Sequence, residues 1–277
     1  MGIEEKYNSL KKILSDLQKV VVAYSGGVDS TLLLKVAVDE LGAENVLACI
    51  ARGPSFPRSE HKRALETAGR IGAKLKVFEP NELGLEGYVA NKADRCLHCK
   101  SRLFAILTDI AKDGGFKSII CGHNLDDKNS YRPGNRAAEV FGVRAPLMEA
   151  GFTKDEVRGL SRELGLATAD IPASPCLATR INYGTEITEQ RLRQIEQAEE
   201  FLRGMGLVEF RVRLHDNLAR IEVHGEDIAR ITAEPVRSEI AQKLKSLGFK
   251  FISVDLEGFR SGSFDEMLSK EQKQKGS

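Results

Sequence analysis

The chain reads as an α/β protein, a doubly wound parallel sheet followed by a smaller C-terminal α+β domain. Three observations predict this. Strand-like and helix-like segments alternate through the first half, a Ser-Gly-Gly turn joins the first apolar run directly to a helical stretch, and the pattern changes after Tyr183-Gly184. At 277 residues the chain also exceeds what one simple core usually holds, so two domains are expected, 1–184 and 185–277.

The first apolar run, Val20 to Tyr24, leads into a helical pattern from Ser30 to Leu41. Further short apolar runs at Val46 to Ile50, Leu75 to Phe78 and Ser118 to Cys121 are separated by helical patterns at Ser59 to Ile71 and Ser101 to Ala111. Short apolar strands alternating with amphipathic helices make a parallel sheet. In such sheets ligands sit at the carboxyl ends of the strands, where Ser25, Arg52 and the segment Gly122 to Asp127 fall. Thr153-Lys154-Asp155-Glu156 has the spacing of a capping box and opens a helix that runs to Leu164. After Gly184 come a long helix from Thr188 to Met205, a strictly alternating strand from Val208 to Leu214, and a strand from Leu218 to Val223. A helix near Ile240 and a strand from Phe249 to Val254 complete the smaller domain, and the polar tail after Lys270 is expected to fray.

Composition narrows the function. Lys and Arg number 41 against 40 Asp and Glu, so the net charge of +1 gives no electrostatic reason to expect a nucleic-acid partner. No stretch is apolar enough to span a bilayer and Met1 to Gln18 is too polar for a signal peptide, so a cytosolic protein without a membrane partner is expected. Five cysteines, an odd number, argue for metal or sulfur chemistry over disulfides.

The chemistry starts at Ser25-Gly26-Gly27-Val28-Asp29-Ser30, between the first strand and the first helix of the sheet. A strand that ends in glycines and turns at once into a helix leaves backbone N–H groups converging on one point, with the positive end of the helix dipole behind them. Such a point binds phosphate. The Walker lysine is missing and G-x-G-x-x-G is absent, so the loop is a different cradle. The hexad resembles the PP-loop of ATP pyrophosphatases, which cleave ATP between the α and β phosphates. That resemblance implies an adenine nucleotide alpha hydrolase-like fold, with ATP held by Ser25, Gly26, Gly27, Asp29, Ser30, Gly122 and Asp127, and with Asp29 helping to place Mg²⁺. The plain alternative is a glycine turn in which Ser30 or Asp29 merely caps the helix.

Cys96, Cys99 and Cys176 form the second group. Cys96-Leu97-His98-Cys99 is a C-x-x-C pair expected just before a helix, and Cys176 lies in a loop flanked by Pro172 and Pro175. Three cysteines leave one tetrahedral position open, as in a reactive iron–sulfur cluster, whereas a structural zinc with His98 as fourth ligand is the competing reading. Cys49 and Cys121 sit in apolar strands and are expected to be inert.

Several blocks extend the resemblance: Asp126-Asp127 with Tyr131-Arg132-Pro133-Gly134, Cys176 with Thr179-Arg180 and Tyr183-Gly184, Arg211-Val212-Arg213, and Gly258-Phe259-Arg260-Ser261-Gly262. With the hexad they make nearly the whole chain similar to the LarE family, ATP-dependent sulfur transferases of nickel-pincer nucleotide cofactor biosynthesis. The resemblance implies adenylation of a carboxylate of pyridinium-3,5-biscarboxylic acid mononucleotide, then displacement of AMP by sulfur. Three-cysteine members resemble hosts of a 4Fe-4S cluster, so Cys96, Cys99 and Cys176 are expected to be its ligands. In single-cysteine members the cysteine gives up its own sulfur, and a sacrificial Cys176 is the alternative. Arg211 and Arg213, on one face of a strand, and Arg260 are expected to hold the substrate phosphate, against a solvated face ion-paired to Glu209 or Glu222. Lys100 and Arg180 are expected near the reacting carboxylate, and the family implies a homo-oligomer. A tRNA-thiolating or amide-forming PP-loop enzyme, or a nucleotide-binding regulator with structural zinc, are the other readings.

Overall fold

The computed structural model describes residues 2–129, 134–260, 263–267 and 269. Tyr131, Arg132, Pro133, Ser261, Gly262 and the tail after Lys270 lie outside the described residues. In chain order the elements are α1 (Ile3–Leu17), β1 (Val20–Ala23), α2 (Val28–Leu41), β2 (Val46–Ala51), α3 (Arg58–Ile71) and β3 (Lys74–Phe78). Next come α4 (Glu86–Val89), α5 (Arg95–Asp113), β4 (Ser118–Cys121), α6 (Gly134–Val140), α7 (Pro146–Glu149) and α8 (Lys154–Glu163). The last are α9 (Glu189–Gly204), β5 (Phe210–His215), β6 (Leu218–Val223), α10 (Gly225–Thr232), α11 (Val236–Ser246) and β7 (Phe251–Val254).

The described residues fall into two compact units, one formed by those up to Glu82 together with those of Cys96–Ser174, the other by Leu83–Arg95 together with those from Pro175 onward. In the first, four parallel strands pair in the order β3-β2-β1-β4. β1 is bonded to β2 through Val20↔Val46 and to β4 through Val20↔Ser118. It feeds both faces of the sheet. Val20 and Val22 join Leu10, Leu14, Leu32, Leu33, Val157 and Leu160 in one core, while Val21 joins Phe104, Leu107 and Ala137 in the other. Each such fully buried aliphatic side chain contributes about 1.5–3 kcal/mol, which explains why a strand covered on both faces is apolar throughout. The chain leaves β1 toward β2 on one side and returns to β4 on the other, so the strand order reverses between β1 and β4. The carboxyl ends of those two strands form the crevice that the fold offers a ligand.

In the second unit β5 and β6 are antiparallel and β7 joins β6 in parallel. α9 lies against β5, and α11 against α9 and β7. This unit includes two segments that the pattern change at 184/185 leaves with the larger domain, Leu83–Arg95 and Pro175–Gly184. Asn91 shows why they travel together: it is fully buried, and its side-chain amide donates to the carbonyls of Asn182 (2.8 Å) and Thr185 (2.9 Å). Its own carbonyl accepts from Gly184 N (3.0 Å), and Arg95 donates to its Oδ1 at 2.7 Å. No periodicity reveals bonds of this kind.

Expected boundaries shift in several places, and β7 starts at Phe251 instead of Phe249. Cys96 and Cys99 are inside α5, whose start at Arg95 is set by a turn closed by Arg95 N on Lys92 O (3.1 Å), so they do not precede the helix. β5 begins at Phe210, and Val208, expected to open the apolar face, is 78% exposed.

Candidate active site

The loop after β1 is built around its own hydroxyls. Ser30 Oγ accepts from Ser25 N (3.2 Å), lies 3.0 Å from Ser25 Oγ, and donates to Gly27 O (3.2 Å). Gly27 is the residue before α2, and no side chain caps the helix there. Neither Ser30 nor Asp29 acts as the cap, so the first-turn N–H groups of α2 keep their capacity for an anion. Gly26 adopts φ +73°, and a Cβ on it would come within 2.4 Å of Ala64 Cβ, so both conformation and space require glycine. Tyr24 anchors the approach, its backbone N on Cys49 O (2.9 Å) and its hydroxyl on Ala64 O (3.1 Å).

Gly122 brings the end of β4 to the same place. A Cβ there would lie 2.7 Å from Ser30 N, so only glycine lets β4 abut the start of α2. The next turn presents Asn124, whose Nδ2 donates to Asp29 Oδ1 at 2.9 Å. Asp127 is 6% exposed and shapes that turn, its Oδ2 accepting from Asn124 N (3.0 Å). Asp126 Oδ2 accepts from Lys154 N (2.8 Å), the first residue of α8. The other oxygen of Asp29 takes Lys154 Nζ at 2.5 Å. Asp29 thus joins three segments, with partners 95 and 125 residues along the chain. Asn124 and Lys154 were not singled out from the sequence. The readable signal was the Thr153 capping box, which is present with Thr153 Oγ1 on Glu156 N and fixes where α8 starts.

The cysteines divide. Cys96 and Cys99 are half-buried on the first turns of α5, three residues apart and so on one helix face. Cys176 belongs to the second unit, half-buried ahead of a 3-10 turn at Leu177–Arg180. Among the described residues, no three His, Cys, Asp or Glu side chains gather into a group able to hold a metal. Cys49 and Cys121 are buried as expected: burial pushes the Cys49 thiol up to about 12 and raises that of Cys121 as well, which keeps both protonated.

Three of the candidate arginines of the second unit, Arg180, Arg211 and Arg213, are enclosed. Arg180 is 1% exposed, paired through Nε to Glu199 Oε1 at 2.9 Å. Its Nη1 donates to Pro175 O (2.7 Å) and Cys176 O (3.2 Å), so it grips the backbone of the Cys176 loop. Glu199 Oε1 also accepts from Val212 N (3.1 Å) on β5. Arg213 donates to Glu222 (2.9 Å) and to Thr179 O (2.9 Å) and lies over the Phe264 ring. The Glu222 pairing weighed from the sequence is present, on a face that is buried and not solvated. Arg211 stacks on Phe259 at 4.8 Å and donates to Phe210 O at 2.6 Å. Burial, then the neighbouring Arg180, lower its pKa to about 10. Arg260 pairs with Glu257 (2.7 Å) and Glu266 (2.9 Å).

Comparison with known proteins bears on what this arrangement does. Residues 3–92 match a family model described as NAD synthase. The chain is 38% identical over 267 residues to the pyridinium-3,5-bisthiocarboxylic acid mononucleotide synthase of Lactiplantibacillus plantarum, covering 96% of each protein. It is 41% identical over 268 residues to an uncharacterized protein of Synechocystis sp., covering 97% of this chain and 100% of that one. A tRNA-5-methyluridine(54) 2-sulfurtransferase of Pyrococcus horikoshii is 32% identical over 124 residues, 43% of this chain and 39% of that protein.

Proposed function

The chain belongs to the LarE family of PP-loop sulfurtransferases, and we propose on that basis that it converts a carboxylate of pyridinium-3,5-biscarboxylic acid mononucleotide to a thiocarboxylate at the expense of ATP. The observation that carries this reading is the similarity to the Lactiplantibacillus plantarum synthase along 96% of the chain. The intact Ser25 to Ser30 loop supports it. Similarity to the tRNA sulfurtransferase covers 43% of the chain, and with balanced charge this favours a nucleotide-sized substrate over tRNA.

The reaction has two halves. A substrate carboxylate oxygen attacks the α-phosphorus of ATP and the bond to the bridging oxygen of the β-phosphate breaks, which leaves an acyl-adenylate and pyrophosphate. Sulfur then attacks the acyl carbon, and AMP departs with the bonding electrons. The first half is needed because a free carboxylate is a poor acyl donor, while a sulfur nucleophile is potent near neutral pH. Ser25, Gly26, Gly27 and Ser30 hold the pyrophosphate against the uncapped N–H groups of α2, beside Gly122 and Asp127. Asp29 offers the hard oxygen that Mg²⁺ requires, and the ion would neutralise charge on the phosphates.

In the second unit we propose that Arg211, Arg213 and Arg260 hold the substrate phosphate; Arg211 and Arg213 are two positions apart on β5 and so share one face of the strand. Arg180 serves by fixing the Cys176 loop. For the sulfur we propose Cys96, Cys99 and Cys176 as ligands of a 4Fe-4S cluster that would supply a bound sulfide. The pair on one face of α5 fits two such positions. Sacrifice of the Cys176 sulfur is the alternative.

Protein prepared without oxygen and given ATP, Mg²⁺ and the biscarboxylic mononucleotide is expected to release AMP and pyrophosphate and to form the thiocarboxylate. Release of ADP, or turnover indifferent to the mononucleotide, contradicts the reading. The same preparation is expected to be brown and to contain iron and sulfide. A colourless zinc protein would return the cysteines to a structural role, and dehydroalanine at position 176 after turnover would select the sacrificial route.

A further inference from the structure

The cradle lacks the lysine that a Walker loop carries, yet a lysine reaches its acidic residue from elsewhere. Lys154 comes from the first turn of α8, and Nζ sits 2.5 Å from Asp29 Oδ2 while Asn124 Nδ2 holds Oδ1 at 2.9 Å. Both oxygens of Asp29 are therefore engaged before any cation arrives. A divalent ion that takes Asp29 as ligand must displace one donor, and an ammonium on a flexible stem yields more readily than an amide fixed by its turn. That turn is fixed, since Asn124 N is tied to Asp127 Oδ2 (3.0 Å) and its Oδ1 to Asp126 N (3.0 Å). The base of Lys154 is fixed too, by its backbone N on Asp126 Oδ2 and by the Thr153–Glu156 capping box, with Glu156 braced by Lys6 at 2.7 Å. Only its side chain, 33% exposed, is left to move.

We propose that Lys154 is an exchange residue of the cradle: it neutralises Asp29 while the site is empty, cedes that carboxylate to the divalent cation that enters with ATP, and turns its freed ammonium to the departing pyrophosphate oxygens. The role rests on the PP-loop reading above and adds the cation that the loop itself does not contain. A triphosphate entering with its cation brings its own charge, so the ion pair that closes the empty cradle is replaced by two new ones, cation to Asp29 and ammonium to phosphate.

The exchange predicts two changes of opposite sign in Lys154→Met, which a merely structural lysine would not produce. Mn²⁺, titrated into nucleotide-free protein and followed by electron paramagnetic resonance, is expected to bind about tenfold more tightly than to wild type, the scale of one charge-assisted hydrogen bond. The gain should vanish when Asp29→Asn is added. α,β-Methylene-ATP with Mg²⁺, which cannot be cleaved at the α–β position, is expected to bind about tenfold or more weakly to Lys154→Met, with part of the loss restored by Lys154→Arg. Unchanged Mn²⁺ affinity, a gain that survives Asp29→Asn, or unchanged nucleotide affinity overturns the exchange and leaves the cradle intact. A wild-type protein that binds no α,β-methylene-ATP overturns both.

Discussion

The loop after β1 and the arginine layer of the second unit both gather charge, but under opposite conditions. In the cradle the ion pair is partly open to solvent, Lys154 33% and Asp29 19% exposed, and its partners come from three segments. In the arginine layer Arg180 and Glu199 are 2% and 5% exposed, and Arg213 and Glu222 6% and 0%. A partly solvated pair can exchange partners at small cost, whereas a buried pair that loses one member strands an unpaired charge. The first arrangement suits a site that must receive a cation and a polyphosphate, and the second suits a scaffold that holds a loop still.

That contrast predicts where substitutions are felt. The largest effect on folding should come from Glu222→Ala, which leaves Arg213 and Arg220 without their shared carboxylate and Ser263 without its acceptor. A loss of about 3–5 kcal/mol is expected in denaturant unfolding, and a change below 1 kcal/mol would show that the layer is not the scaffold. Gly122→Ala should cost about 1–3 kcal/mol, because its methyl would press on Ser30 N at 2.7 Å. The same variant should lose pyrophosphate release, since α2 must then shift from the end of β4.

Asp29→Asn should invert the pattern. Its stability should stay within about 1 kcal/mol of wild type, as for a partly solvated pair, while substrate-dependent formation of AMP disappears. A variant that keeps turnover, or one that unfolds, would erase the distinction between the two regions. The smallest effect belongs to Arg144–Glu149, an ion pair in the exposed turn after β4's neighbouring bridge, where the Arg144 side chain holds the Glu149 carboxyl below its ordinary value. A depressed carboxylate stabilises the fold above its unfolded value and loses that contribution as pH falls through the folded one. Thermal melts should therefore show Arg144→Ala less stable than wild type at neutral pH, with the gap closing below about pH 4.5.

Much of the first unit was legible because its signals are local. Apolar runs gave all four parallel strands, and the hexad placed the cradle between β1 and α2. α1 has no counterpart among the expected elements although Tyr7, Leu10, Leu14 and Leu17 have helical spacing; the polarity of Met1 to Gln18, which excludes a signal peptide, says nothing of that spacing. What stayed hidden depends on contacts between distant segments. Lys154 could be placed at a helix start, but nothing near it in sequence points to Asp29, 125 residues away. The alternation of Arg211 and Arg213 was visible, yet their burial rests on Glu199, Glu222, Phe259 and Phe264, which only the fold brings to β5. In the same way Asn91 ties residues 83–95 to the second unit by bonds that leave no trace in hydropathy.

In the proposed function the cradle activates a carboxylate by splitting ATP between its α and β phosphates. Single-turnover analysis of labelled ATP, with and without the biscarboxylic mononucleotide, tests it most directly. AMP and pyrophosphate are expected in equal amounts, dependent on the mononucleotide and absent in Asp29→Asn. Formation of ADP and phosphate, or pyrophosphate release that survives in Asp29→Asn, would contradict it.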